Sequence, residues 1–355
     1  MQGIKPLKND TVGRYLLDYD NPDAGIGHSL GHVNNAVKAC MRNQLEFAYS
    51  DKQLIKSRKT DFKWRMWQFM RTIVGRKTHE THGIGDAICR MFAFEQFTAS
   101  RDRVEGLIRK KRLKVVEIPA PDIEIPSNFQ DDDVAYAKVD AFIRAHPEDG
   151  VAFVLPAKRT GDFEYAVTRE WFKRSYAASR STRVPAPATS SSGRGIRVAL
   201  HIRRGDLLPG RQFSDLAHRM LPDYWYVQVL ESLYKVTRCH LHIMVLSEGR
   251  DGKYCSELGL DFSWQQALRQ IDCDVVEKID HDFMESFDQM VEADVLIGSK
   301  SGMSHLAGLM NDNIKLVPRM WHSYRGASRV IELEDALQTD VLEASLSALW
   351  MAKAA

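Results

Sequence analysis

Val198-Ala-Leu-His-Ile-Arg-Arg-Gly-Asp206 decides how this chain folds. Val198, Leu200 and Ile202 alternate as the apolar residues of a buried strand do, and the run then ends in two arginines, a glycine and an aspartate. Residues at the carboxyl end of a strand in an open α/β sheet line the crevice where ligands bind. Arginine suits that place because its planar, permanently charged fork grips phosphate oxygens through two donors at once. Gly205 lets the loop turn tightly, while His201 and Asp206 add a titratable group and an acceptor.

Downstream of this stretch, helical and strand patterns alternate. Residues 224–236 and 283–293 have helical periodicity, and 240–246, 274–279, 294–298 and 314–317 read as short strands. Such alternation predicts a mostly parallel sheet with helices on both faces. The strand at 294–298 runs into Ser299-Lys-Ser-Gly-Met-Ser-His-Leu-Ala307, a loop that becomes a helix. Ser301 and the N–H groups of Gly302 and Met303 form a second anion-binding element, on the same sheet edge as Arg203 and Arg204. Residues 328–352 read as a helical tail that crosses back to the first half of the chain.

Upstream, Gly25-Ile-Gly-His-Ser-Leu-Gly31 reads as a glycine-rich turn opening onto a helix that carries Leu30, Val33, Val37 and Cys40 on one face. His28 and His32 lie one helical turn apart but have no third ligand, so they make no metal site. Residues 44–49 follow as a strand, 87–107 as a helix, 113–118 as a strand, 131–146 as a helix and 151–155 as a buried strand closed by Pro156. The aromatic and basic segment 52–77 fits a helix face, and His79-Glu-Thr-His82 has the wrong spacing for a zinc motif. Residues 177–195 are small, polar and rich in Pro and Ser, as a linker is. The expected organisation is an N-terminal domain over 1–180, a linker over 181–195, a C-terminal domain over 196–330 and a tail over 331–355.

The bulk numbers exclude several classes. The 355 residues are 44% hydrophobic and 27% charged, which fits two ordinary globular domains. A net charge of +2 marks neither a nucleic-acid binder nor a membrane-surface binder, and the basic run 109–114 reads as solvated surface. Five scattered cysteines offer neither a disulfide framework nor a zinc spacing. With no run of 18 apolar residues and no signal-peptide core, the expectation is a soluble, cytoplasmic protein without a membrane span.

The pattern HxRRGD, followed about 95 residues later by ADVLIGS-x-S-x-x-S-x-LA, resembles the donor-binding half of the α1,2-, α1,6- and protein O-fucosyltransferases. The opening GIGHSLGHVNNAVKAC is similar to the first loop of that superfamily. The resemblance covers residues 24–50 and 196–320. It implies an α/β, GT-B fold, with two Rossmann-like domains facing across a cleft. It also implies inverting, metal-independent transfer of fucose from GDP-fucose to a hydroxyl of a glycan or glycoconjugate, with no cofactor beyond the donor. By position, Arg203 and Arg204 would hold the diphosphate, with His201, Asp206, Ser299, Ser301, Gly302 and Met303 shaping that site. Gly25, Gly27 and His28 would lie near the sugar. Where core α1,6 members carry a glutamate base, this chain has Arg211, so Asp206, Asp215 and His28 remain candidates for the base.

Two other readings compete. Asp272-Cys-Asp274 and Asp280-His-Asp282 are DxD sequences, the mark of metal-dependent GT-A transferases. Loss of the base would instead leave a nucleotide-sugar-binding or scaffolding protein. Arg204-Gly205-Asp206 is formally an adhesion tripeptide, but it abuts a buried strand.

Overall fold

The structure is a computed structural model that describes residues 13–19, 26–50, 88, 90–119, 132–155, 163–183, 195–211, 214–250, 252–258, 261–320 and 322–354. The chain divides into two compact units: Met1–Phe163 with Glu170–Thr182, and Glu164–Arg169 with Arg183–Ala355. Each is built on a parallel sheet with helices.

In the first unit, β1 (Tyr15–Tyr19) leads through α1 (Ile26–Asn43) to β2 (Glu46–Ser50). Then come α2 (Arg101–Arg109), β3 (Lys114–Glu117), α3 (Asp132–Arg144), β4 (Val151–Val154) and α4 (Arg169–Thr182). The strand order is β2-β1-β4-β3 and every pairing is parallel. Tyr15, Leu17, Ala48, Ala152 and Val154 pack with Val104 and Leu113.

Three expectations need correcting here. Helix α1 starts at Ile26, so Gly27 and Gly31 lie inside it rather than in a preceding turn; the apolar face of Leu30, Val33 and Val37 extends the helix despite the glycines. The helix expected over 87–107 is broken: Phe94–Gln96 is a 3-10 turn and Ser100 caps a new helix by accepting from Arg103 N. The break lets Phe94 stack on Phe92 and Trp171, at ring distances of 5.1 Å each. Finally, α4 runs to Thr182, so the first residues of the expected linker are helical, with Ser175, Tyr176 and Ser179 buried. The segments 52–77 and 79–82 lie outside the described residues, and the basic run over 109–114 is exposed apart from Leu113.

The second unit contains β5 (Gly195–Ile202), α5 (Asp223–Thr237), β6 (His240–Ser247), the single turn α6 (Trp264–Ala267), β7 (Cys273–Ile279) and α7 (Phe283–Glu292). It continues with β8 (Val295–Ile297), α8 (Gly302–Met310), β9 (Ile314–Pro318), β10 (Val330–Leu333) and α9 (Thr339–Ala354). All pairings are parallel, in the order β10-β9-β8-β5-β6-β7. Numbered from β5, this is the 3-2-1-4-5-6 order of the doubly wound dinucleotide-binding sheet, whose strand order reverses between β5 and β8. Strands buried on both faces read as near-continuous apolar runs, as β8 and β9 do.

The tail differs from its expectation. Residues 330–333 add a sixth strand to the sheet, and α9 packs on α5 of its own unit, with Leu342 and Leu346 in the same core as Trp225, Leu230 and Leu233. The residue before this strand, Arg329, has a left-handed φ of 55°, which interrupts any helix over 328–352. Among the described residues, no helix is long and apolar enough to cross a membrane. Because Leu346 is fully buried, Leu346→Ala is expected to cost about 2–5 kcal/mol, read as a fall in the urea midpoint. A change below about 0.5 kcal/mol would show that the tail is not part of the core.

Candidate functional site at the sheet switch point

Side chains alternate faces along a strand, and this separates the two adjacent arginines. Ile196, Val198, Leu200 and Ile202 face the core shared with α5. On the other face Arg197 and Ala199 lie beside α7 and His201 lies against Ser304 of α8, with Arg203 following them. Arg204 turns the other way, toward α5.

Arg204 is thereby buried, with 0% of its side chain exposed. Its Nη2 donates to Asp223 Oδ1 at 2.6 Å, to Leu221 O at 2.9 Å and to Glu257 Oε2 at 3.4 Å, and Nη1 donates to Arg203 O at 3.1 Å. Tyr254 also donates to Asp223 Oδ1, and Glu257 Oε2 accepts from Asp223 N. Burial pushes the Asp223 carboxyl up to about 6, opposed by the hydrogen bond from Tyr254 and the charge of Arg204. The same surroundings hold the Arg204 guanidinium above its ordinary value despite its burial. In this structure, then, Arg204 is not the phosphate-facing residue its position in the motif suggested. Its burial also removes the adhesion-tripeptide reading. Gly205 is needed because a Cβ there would collide with the side chain of Glu248.

Arg203 is half-buried, and its Nη1 donates to Lys300 O at 3.3 Å, in the loop after β8. His201 Nδ1 lies against Ser304 Oγ and 3.0 Å from Ser299 Oγ, and Ser304 Oγ accepts from Ser299 N at 3.2 Å. Hence His201 braces the serine loop from beneath. Burial, with Arg203 nearby, holds its imidazole down to about 4, so it is neutral near pH 7. Ser301 caps α8 by accepting from Met303 N at 3.2 Å. That cap occupies the Met303 N–H expected to meet a ligand, while Gly302 opens the first turn, where N–H groups have no intrahelical partner.

Sequence reasoning missed further residues on this edge. Burial, then Arg203, pushes the Arg219 guanidinium below its ordinary value, opposed by Asp215. His322 is held well below its ordinary value by burial, then by His305, Arg203 and Arg219. Its ring stacks on His305 at 4.6 Å, and His305 Nε2 donates to Ser323 O at 2.6 Å. Arg219 and His322 sit in connecting segments with no motif around them, so no pattern in the sequence marks them. The two guanidinium groups of Arg203 and Arg219 thus lie near a helix N-terminus, with neutral imidazoles around them, an arrangement that attracts an anion.

The remaining expected residues are placed in part. Asp206 lies in the 3-10 turn Gly205–Leu207 and His28 in the first turn of α1, but their side chains are outside the described residues, as is Gly25. Asp215 and Arg211 are exposed. Asp280 and Asp282 have local roles: Asp280 accepts from Gly249 N and Gly252 N, and Asp282 caps α7.

The fold is α/β, with two Rossmann-like units in one chain, the make-up of the GT-B class. No family model matches the sequence, and no curated protein does. The solved structures it is similar to include a fucosyltransferase, NodZ, at 11% identity over 84% of this chain and 93% of that one, with a TM-score of 0.32. They also include a heptosyltransferase, E. coli WaaC, at 10% over 96% and 100%, with a TM-score of 0.34. It is similar to POFUT1 in its apo form, at 10% identity over 87% of this chain and 97% of that one, with a TM-score of 0.49. It is similar to POFUT1 in complex with GDP-fucose, at 10% over 93% and 100%, with a TM-score of 0.48. A mutant of Arabidopsis thaliana FUT1 in complex with GDP matches at 8% over 88% and 72%, with a TM-score of 0.42. Likeness at this depth assigns no residue roles.

His201 and His305, both held to about 4 by burial, are neutral in the fold, whereas an unfolded imidazole titrates near 6.5. Their contribution to stability is whole above pH 6.5 and is lost as pH falls through about 4. Each is expected to steepen acid destabilisation by up to about 1.4 kcal/mol per pH unit. His305→Gln should flatten urea-derived stability against pH by one proton's worth, and an unchanged slope would contradict the assignment.

Proposed function

We propose that the chain is a glycosyltransferase whose second unit holds the diphosphate of a nucleotide sugar at this switch point. The observation that carries this reading is the convergence of Arg203 with the N-terminus of α8 where the strand order reverses. The HxRRGD resemblance narrows the donor to GDP-fucose and the reaction to inverting transfer onto a hydroxyl of a glycan or glycoconjugate.

In this mechanism Arg203 grips the diphosphate and neutralises the charge that develops as it leaves. Such preorganised electrostatic help supplies the largest share of many rate enhancements. Gly302 N–H and the helix dipole add to it, and Ser301 keeps a hydroxyl proton to donate. His201, Ser299 and Ser304 hold the loop in register. Arg204 acts through Arg203, by fixing the backbone that presents it. Arg203 does the work that a metal-dependent transferase draws from a divalent ion, so turnover is expected to survive EDTA. On the resemblance, Gly25, Gly27 and His28 of the first unit contribute near the sugar, and the base is one of Asp206, Asp215 or His28. A strongly dissociative, oxocarbenium-like transition state makes modest demands on that base.

Arg211, in place of a glutamate, favours a second reading: a protein that binds the nucleotide sugar without turning it over. A thermal-shift screen of GDP, UDP, ADP and their sugars, followed by GDP release with an acceptor panel, separates the two. GDP at a hundred times its Kd should stabilise by roughly 2.7 kcal/mol. Arg203→Lys, which loses the two-pronged grip, is expected to lower kcat by roughly 100- to 1,000-fold with an unchanged urea midpoint. No nucleotide-dependent shift, or full activity in Arg203→Lys, would overturn the proposal; binding without GDP release would favour the second reading.

A further inference from the structure

We propose that His240, His242 and Asp274 form a binding site for one divalent transition-metal ion of the zinc type, at the opposite edge of the second unit's sheet from Arg203. His240 and His242 are two residues apart on β6 and so share one face. The register of β6 with β7 sets Asp274 directly beside His242. Three potential ligand atoms therefore meet: His240 Nε2 is 3.1 Å and His242 Nδ1 3.2 Å from Asp274 Oδ2, with all three within 4.8 Å of one another. A tetrahedral ion bound at 2.0–2.1 Å would hold its ligand atoms about 3.3 Å apart, so little movement is needed to close on it.

Two features beyond the cluster support a ligand. Asp272 Oδ1 lies 2.9 Å from His240 Nδ1, the carboxylate–histidine pairing that fixes the tautomer of a metal ligand. Held with its proton on Nδ1, the ring offers Nε2 to an ion that Asp274 also ligates. The cluster also opens onto a groove of about 400 Å³ whose wall includes His242 and Asp274, with Arg197, Met244, Gln289 and Glu292 around it. The groove gives the ion an entry path and room for the water that completes its coordination. Gly195 makes the arrangement possible, since a Cβ there would lie 2.6 Å from His242 Nε2. Imidazole ligands select zinc or cobalt over magnesium or calcium.

His240 opens β6, whereas Arg203 follows the end of the neighbouring β5, so an eight-residue strand of roughly 25 Å separates the two sites. The ion would tie β6 to β7 and take no part in transfer, and this inference does not depend on the proposed function.

The test uses the full chain without a histidine tag, stripped with EDTA and titrated with Co²⁺ and then Zn²⁺. Visible absorption of tetrahedral Co²⁺, saturating at one ion per chain and displaced by Zn²⁺, is the expected result, with a rise in Tm on Zn²⁺ addition. Asp272→Asn should weaken binding by roughly 10- to 100-fold, and His242→Gln or Asp274→Asn by more. His281→Gln, which alters a separate surface pair with Glu285, should leave binding unchanged. Urea midpoints of the metal-free variants check that each is folded, and the exposed Asp272 keeps the test open if His242→Gln is not. Absence of saturable binding, or equal affinity in wild type, Asp272→Asn and Asp274→Asn, would overturn the proposal.

Discussion

A guanidinium with none of its side chain exposed is costly to bury, and the effective penalty for taking an ion out of water is several kcal/mol. Arg204 offsets that cost through four acceptors: Asp223, Glu257 and the carbonyls of Leu221 and Arg203. What the fold gains is position rather than net stability. The clamp fixes the chain immediately after β5, where Gly205 passes against Glu248, and so fixes the direction in which Arg203 leaves the sheet. One arginine anchors and its neighbour reaches out, because adjacent residues of an extended chain face opposite ways.

The place where this happens is set by topology. With β8 beside β5 in a parallel sheet, the crossovers on either side run in opposite directions, the topology in which ligands bind at the carboxyl ends of the two strands. His201 links the two loops there, touching Ser299 and Ser304 while Arg203 bonds Lys300 O. A neutral imidazole serves there, since a charged one beside Arg203 would add repulsion at the point where an anion is to be received. The proposed phosphate site in this unit thus rests on a braced loop, one outward guanidinium and a capped helix.

Much of this was legible in the sequence. The alternation of Val198, Leu200 and Ile202, and the apolar runs at 240–246 and 294–298, announced a parallel sheet because burial on both faces leaves that imprint. The two loops that meet at the switch point were legible for the same reason. The division of labour between Arg203 and Arg204 was not, although strand alternation held the clue; the partners of Arg204 are Asp223 and Glu257, whose closeness depends on how α5 packs. Arg219 and His322 arrive from segments without periodicity. Strand β10 was hidden because four residues at a sheet edge carry too short a pattern to stand apart from the helix that follows. The break before α2 was masked by apolar and aromatic residues that suit a helix face as well as the stacked cluster they form.

The placement of a nucleotide diphosphate beside Arg203 is tested most directly by a bound structure. A crystal structure of the protein with GDP should place the diphosphate within hydrogen-bonding distance of the Arg203 guanidinium and the first turn of α8, with Arg204 still bonded to Asp223. GDP bound away from the β5–β8 switch point, or Arg204 swung out to the phosphates with Arg203 turned aside, would contradict it.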